Sequence, residues 1–155
     1  MVDISTVSIV IASAGVFAAA IYYVLQIRHQ TKMRQTDLVM RLYSIFGNEE
    51  FQKRCHKIMA DMETMDYNSF VKKYDTMAPE AGFFFEGVGV LLHRKLIDIS
   101  LVDDLFSGFI KRFWERAKPI VEDARKQLNY PQYGEWFEYL YNEMKKREQR
   151  GVRDG

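Results

Sequence analysis

ISTVSIVIASAGVFAAAIYYVLQI, residues 4–27, is the stretch on which the fold reading turns. It holds no charged side chain; Asp3 precedes it and Arg28 follows it. As a helix rising ~1.5 Å per residue, these 24 residues extend ~36 Å, more than the ~30 Å hydrocarbon core of a bilayer, so the segment spans with some tilt. Two other readings compete. A cleaved signal peptide needs basic residues ahead of an apolar core of about 7–15 residues. Here Met-Val-Asp comes first and the run is longer, although Ala18, Ala19 and Ala20 mimic a cleavage site. A buried core helix of a soluble protein is the second, and uncharged runs beyond ~18 residues are rare outside membranes. Residues 1–27 therefore read as a transmembrane anchor.

The flanks orient it. Arg28, Lys32 and Arg34 lie just after the span and Asp3 before it, so the positive-inside rule places the N-terminus outside the cell membrane and the remaining chain in the cytoplasm. Tyr22 and Tyr23 then fall near the inner interface, where amphipathic rings are favoured. Within the span, Ser5, Ser8, Ala12, Gly15 and Ala19 recur at steps of three and four along one stripe. Small side chains let helix backbones approach in lipid, so the expected partners are membrane lipid and another transmembrane helix, from a second copy or from a larger membrane complex. Ala18 and Ala20 lie off the stripe, and the general abundance of Ala and Gly in membrane spans is the alternative explanation.

The whole-chain averages hide this division. With 22 Lys+Arg, 21 Asp+Glu and 48% hydrophobic residues in 155, the chain resembles an ordinary soluble domain. Yet Asp3 is the only charge among the first 27 residues, so the other 128 carry 22 basic and 20 acidic side chains. That balance excludes a strongly basic nucleic-acid module and a disordered tail. A single Cys excludes an internal disulfide, in keeping with a reducing compartment.

Downstream, the periodicity is helical throughout. No Gly or Pro interrupts residues 16–46, so residues 28–46 read as a stalk and first domain helix. Gly47 and Asn48 end it, with Asn48 also capping a helix that carries Phe51, Cys55, Ile58, Met59 and Met62 on one face. Asp66 caps a short helix through Tyr74, and Pro79 suits the first turn of another reaching about Leu96. Ser100 with Asp103 forms a capping box before a long run from Val102 to Leu128, in which Pro119 predicts a kink near residues 115–118. A last helix follows the turn at residues 129–131. The expected fold is all-α: a single transmembrane helix continuing into a stalk and a compact cytoplasmic helical bundle of about five helices over 47–150, with 151–155 frayed. The basic stretch from Lys145 onward reads as a solvated helix end rather than a lipid-binding patch.

Chemical motifs are sparse. There is no Glu-x-x-His, no pair of His or Cys at zinc spacing among His29, His56, His93 and Cys55, no phosphate loop around Gly87 and Gly89, and no nucleophile elbow. No catalytic residue, cofactor or metal is expected, and no nucleic acid partner. The most suggestive polar group is Glu86 with His93 on one stripe with Gly82 and Gly89, a candidate pocket. The two lie two turns apart, about 10.5 Å, too far to bond directly. The preferred structural explanation is that Gly82 and Gly89 admit a close helix while Glu86 pairs with Arg112, Arg116 or Arg125. Aromatic residues around Tyr133, Trp136, Tyr139 and Tyr141 exceed what one helix face can hide and form a candidate partner surface. Met59, Met62, Met65 and Met77 read as core fillers, with an adaptable groove as the alternative.

The blocks Phe-Phe-Glu-Gly-Val-Gly-Val-Leu-Leu (84–92), Leu-Ile-Asp (96–98), Leu-Phe-Ser-Gly (105–108), Phe-Trp-Glu-Arg-Ala-Lys-Pro-Ile (113–120) and Trp-Phe-Glu-Tyr-Leu (136–140) resemble an uncharacterised prokaryotic family, a domain of unknown function. The resemblance covers about residues 20–147 and rests on the order and spacing of the blocks. It implies one N-terminal membrane helix and an all-helical cytoplasmic domain, and it transfers no activity. The sequence thus points to a non-catalytic, single-pass anchored interaction protein, an accessory subunit or scaffold. A membrane-anchored enzyme or ligand sensor using Glu86 and His93 is the alternative.

Overall fold

A computed structural model describes residues 3–74 and 80–153, the side chains of 151–153 excepted. The described residues form six helices and no strand: α1 (Ile4–Phe46), α2 (Glu49–Met62), α3 (Tyr67–Tyr74), α4 (Glu80–His93), α5 (Ile99–Gln127) and α6 (Glu135–Arg153). The all-α expectation holds. The chain divides into two compact units, one up to Asp37 and the other from Leu38.

The first unit is the N-terminal part of α1. It is long and apolar enough to cross a membrane, and no residue of its most apolar window is buried. The hydroxyls of Ser8 and Thr31 donate to the carbonyls of Ile4 and Ile27 one turn back, at 3.0 and 2.9 Å. These two hydroxyls are thereby satisfied within the helix itself.

The second unit is built on an aromatic core. Val39 and Phe46, from the last turns of α1, are buried with Phe51 and Cys55 of α2 and Phe85 of α4. Phe46 sits 5.2 Å from Phe106 and 4.9 Å from Phe109 in edge-to-face contact, while Phe85 stacks on Phe137 at 4.8 Å. Such pairs add to the ~1.5–3 kcal/mol that burial of each ring contributes. The tightest seam joins α4 to α6. A Cβ at Gly89 would lie 2.0 Å from the Trp136 carbonyl oxygen, so only glycine permits this approach. Gly89 does what the sequence assigned to it.

Helix ends follow local chemistry. Asn48 Oδ1 accepts from the Phe51 N–H at 3.0 Å, and Asp66 Oδ1 from the Ser69 N–H at 2.8 Å, both as read from the sequence. The start of α5 differs. Asp98, not Ser100, is its N-cap, accepting from the Ser100 N–H at 2.7 Å and from the Ser100 hydroxyl. Aspartate is as good a cap as serine, and Asp103 is drawn instead into an ion pair with Arg147 at 3.0 Å. Helix α5 continues through Pro119 as one element. Helix α4 stops at His93, three residues short of Leu96, because Lys95 turns into the left-handed region (φ 58°) and the Leu96 N–H bonds the Leu91 carbonyl. Helix α6 keeps helical backbone to Arg153, into the stretch expected to fray, and Lys111 of α5 holds Glu148 at 3.2 Å. The Pro79 and Met77 readings, and the last two residues of the tail, lie outside the described residues.

Candidate functional site

Helices α4, α5 and α6 and the α5–α6 turn, with Met62 of α2 and Phe70 of α3, enclose a cleft of about 260 Å³ in the second unit. Phe83 and Glu86 of α4 form one wall, Trp114 and Val121 of α5 the floor, and Tyr130 and Tyr133 of the α5–α6 turn the opposite lip. Glu86 is half-buried there, and its position is explained by a deficiency in α6. The residue before Glu135 is Gly134, which adopts φ +71° and has no side-chain oxygen to cap the helix. A Cβ at Gly134 would also come within 3.0 Å of Val121. The Glu86 carboxylate fills the role from a different helix: its Oε1 accepts from the Phe137 N–H at 3.0 Å. A carboxylate at this end is favoured by the free N–H groups and by the positive pole of the helix.

Burial pushes the Glu86 carboxyl above its ordinary value, and the N–H groups of Phe137 and Trp136 partly offset that rise. Tyr133, lining the same cleft, is raised to about 12, chiefly by burial. The sequence had assigned Glu86 an arginine partner, and the structure corrects this. Arg125 binds Glu138 at 2.7 Å and donates to the Tyr133 carbonyl at 2.8 Å; Arg116 lies 3.6 Å from Glu63; Arg112 donates to the Gly108 carbonyl. A backbone helix end supplies concentrated N–H donors at less conformational cost than a long guanidinium side chain.

His93 does not share the cleft. It is exposed, with its ring 4.7 Å from Trp136 and 5.4 Å from Tyr139. The candidate Glu86–His93 pocket is thus split: α4 carries Glu86 into the cleft and leaves His93 on the outer side of Trp136. The candidate partner surface divides likewise. Tyr133 and Trp136 line the cleft, Tyr139 packs beside Trp136 and His93, and Tyr141 turns to Trp114 and donates to Glu115 at 3.3 Å. All four rings are half-buried. In the first unit, Ser5, Ser8, Ala12, Gly15 and Ala19 are all exposed, and nothing lies within 4 Å of a Cβ built at Gly15. Met59, Met62 and Met65 pack in or against the core, with Met62 also reaching the cleft.

The cleft itself, with Phe83, Tyr130 and Glu135, was not read from the sequence. One signal pointed to it: the last helix begins after Tyr-Gly rather than after Ser, Thr, Asp or Asn, so its cap had to come from elsewhere in the fold. Among the described residues no three His, Cys, Asp or Glu side chains converge to hold a metal ion.

Residues 83–144 match the family model DUF4760, a domain of unknown function. The matched segment contains every sequence block on which the resemblance rested, and it runs from one wall of the cleft through α5 to the middle of α6. No curated protein and no solved structure matches the chain significantly.

Proposed function

We propose that the protein is a non-catalytic, single-pass membrane-anchored interaction protein, an accessory subunit or scaffold of a membrane complex, with its N-terminus outside and its helical domain in the cytoplasm. The observation that carries this reading is the apolar window of α1, which finds no burial within the protein. An apolar surface of that length needs a non-aqueous surrounding, and lipid supplies it. The bias of Arg28, Lys32 and Arg34 over Asp3 supports the orientation. The exposed small-residue stripe supports a second transmembrane helix as partner, and the half-buried Trp136–Tyr139 ring pair supports a protein contact on the domain.

Two measurements test it. Extraction in mild detergent followed by native sizing and mass spectrometry should return the chain with a stoichiometric partner or with a second copy; a lone monomer overturns the interaction reading. Topology needs a reporter other than Cys55, which is fully buried and whose thiol is pushed up to about 12 by burial. In a Cys55→Ala, Asn142→Cys chain, an impermeant thiol reagent should label only after lysis. Labelling in intact cells overturns the cytoplasmic placement.

A second reading keeps the anchor and makes the domain a ligand sensor. The cleft favours it, being a concave, largely apolar site with one half-buried carboxylate. Glu86 alone serves this reading; His93 has no part in it.

A further inference from the structure

We propose that the cleft between α4, α5 and the start of α6 binds a free small organic cation of the quaternary-ammonium class, held by aromatic rings and by the carboxylates of Glu86 and Glu135. The inference rests on the sensor reading's premise that the cleft is a ligand site, and not on the membrane anchor.

Charge is the first argument. Glu86 and Glu135 both line the cleft, and no Lys, Arg or His is found among its described lining residues. Arg125, whose charge reaches Glu86, is committed to Glu138 and to the Tyr133 carbonyl. An anion has no opening here, because the N-terminus of α6 is already occupied by the Glu86 carboxylate. The second argument is the wall. Phe83, Trp114, Tyr130, Tyr133, Trp136 and Phe137 supply an aromatic lining, and the negative face of such rings attracts a cation. The third argument separates a methylated ammonium from a primary amine. A primary ammonium brings three N–H donors that must all find acceptors. Away from the Glu86 and Glu135 carboxylates the lining is mostly apolar, and Glu86 Oε1 is already engaged by the Phe137 N–H, so a primary ammonium seated among the rings leaves donors unmet at a cost. A trimethylammonium group has none to satisfy and presents apolar methyls to the rings. The size agrees: about 260 Å³ lies below the ~300–1,000 Å³ of drug-sized sites and suits a compact ligand.

The chain has two tryptophans, Trp114 and Trp136, and both line the cleft, so intrinsic fluorescence reads it directly. The full-length protein in dodecyl maltoside is titrated with choline, with tetramethylammonium, and with 3,3-dimethylbutan-1-ol, the neutral isostere of choline, at constant ionic strength. Saturable changes are expected for both cations, with the isostere about tenfold weaker. Glu86→Gln keeps an oxygen for the Phe137 N–H while removing the charge, and Glu135→Gln removes the second; together they should bring choline and its isostere to near-equal affinity. Tyr130→Leu, at an exposed lip position, should weaken choline several-fold without unfolding the domain. Equal binding of choline and isostere by the unaltered protein overturns the cation assignment and leaves an apolar ligand site. Absence of any saturable signal overturns the ligand site as well. Unchanged selectivity in the double variant removes the carboxylates from the proposal. Response to phosphatidylcholine vesicles but not to free choline overturns the free-molecule source.

Discussion

The two units of this chain solve the same problem in opposite ways. In the second, Phe85, Ile110 and Leu140 are completely excluded from solvent by other parts of the same chain. In the first, Ile9, Val10, Ile11, Val16 and Phe17 are each more than three-fifths exposed, although they are no less apolar. The difference lies in partners. Residues from Leu38 onward include charged positions every few places, so their apolar side chains segregate to one face of each helix and find one another. Residues 4–27 are uncharged all round, which leaves no polar face to turn toward water. Burial is therefore internal in one unit, while in the other it would come from the lipid of the proposed anchor.

The sharpest way to break this comparison is one disruptive substitution in each unit. Phe85→Ala should cost the domain about 3–5 kcal/mol, lowering its urea midpoint while leaving membrane fractionation unchanged. Ile11→Arg should do the reverse, with an insertion penalty of about 2.5–3.5 kcal/mol seen as protein lost from the membrane fraction. If Ile11→Arg unfolds the domain and leaves the protein in the membrane, the two units do not divide as described.

A smaller effect probes the seam beside the cleft. Gly89→Ala places a methyl against the Trp136 carbonyl and should destabilise by about 1–3 kcal/mol, because backbone cannot yield as a flexible side chain would. Gly87→Ala, where nothing lies within 4 Å of the added Cβ, is the control and should be neutral or slightly stabilising. The pair separates a packing glycine from an incidental one on the same helix.

The smallest expected effect is on pH dependence. Because burial raises the Glu86 carboxyl above 4.5, the folded state holds that proton more tightly than the unfolded one. Stability contributed here falls as pH rises from the ordinary value through the folded one, and is level above it. Asp61 and Asp98 are lowered, the first mainly by the Lys73 ammonium and the Tyr74 hydroxyl, the second by Ser100, and both lose stability as pH falls below 3.8. Urea midpoints measured across about pH 3–8 should show both limbs. Glu86→Gln should flatten the upper limb and leave the acid limb intact; persistence of the upper limb assigns it to another group.

Much of the architecture was legible because its signals are local. Asn48 and Asp66 cap the helices that follow them within three residues, and the unbroken run from Val16 to Phe46 became one helix. At Asp98 the local signal was ambiguous, since Asp98 and Ser100 are both good caps two residues apart, and Arg147, 44 residues away from Asp103, removed the glutamate-like partner that a capping box needs. The candidate site was less legible. Glu86 was singled out for standing among phenylalanines, and it does line the cleft, but its bonding partner is a helix end 51 positions along the chain. His93 shares its helical stripe, yet Trp136 screens it from the cleft, and no spacing rule within α4 reports a ring contributed by α6.

What the sequence alone determined is therefore what depends on neighbours in the chain: an uncharged span, helical periodicity, caps set by short polar side chains, and the absence of recognisable catalytic spacing. What only the tertiary structure decided is what depends on which helices meet. It put a carboxylate from α4 on the uncapped N-terminus of α6, divided four aromatic residues between a cleft and two outer contacts, and separated Glu86 from His93. Hydrogen bonds and helix caps act over a few ångströms, so their partners can be read from sequence only when the chain itself brings them that close.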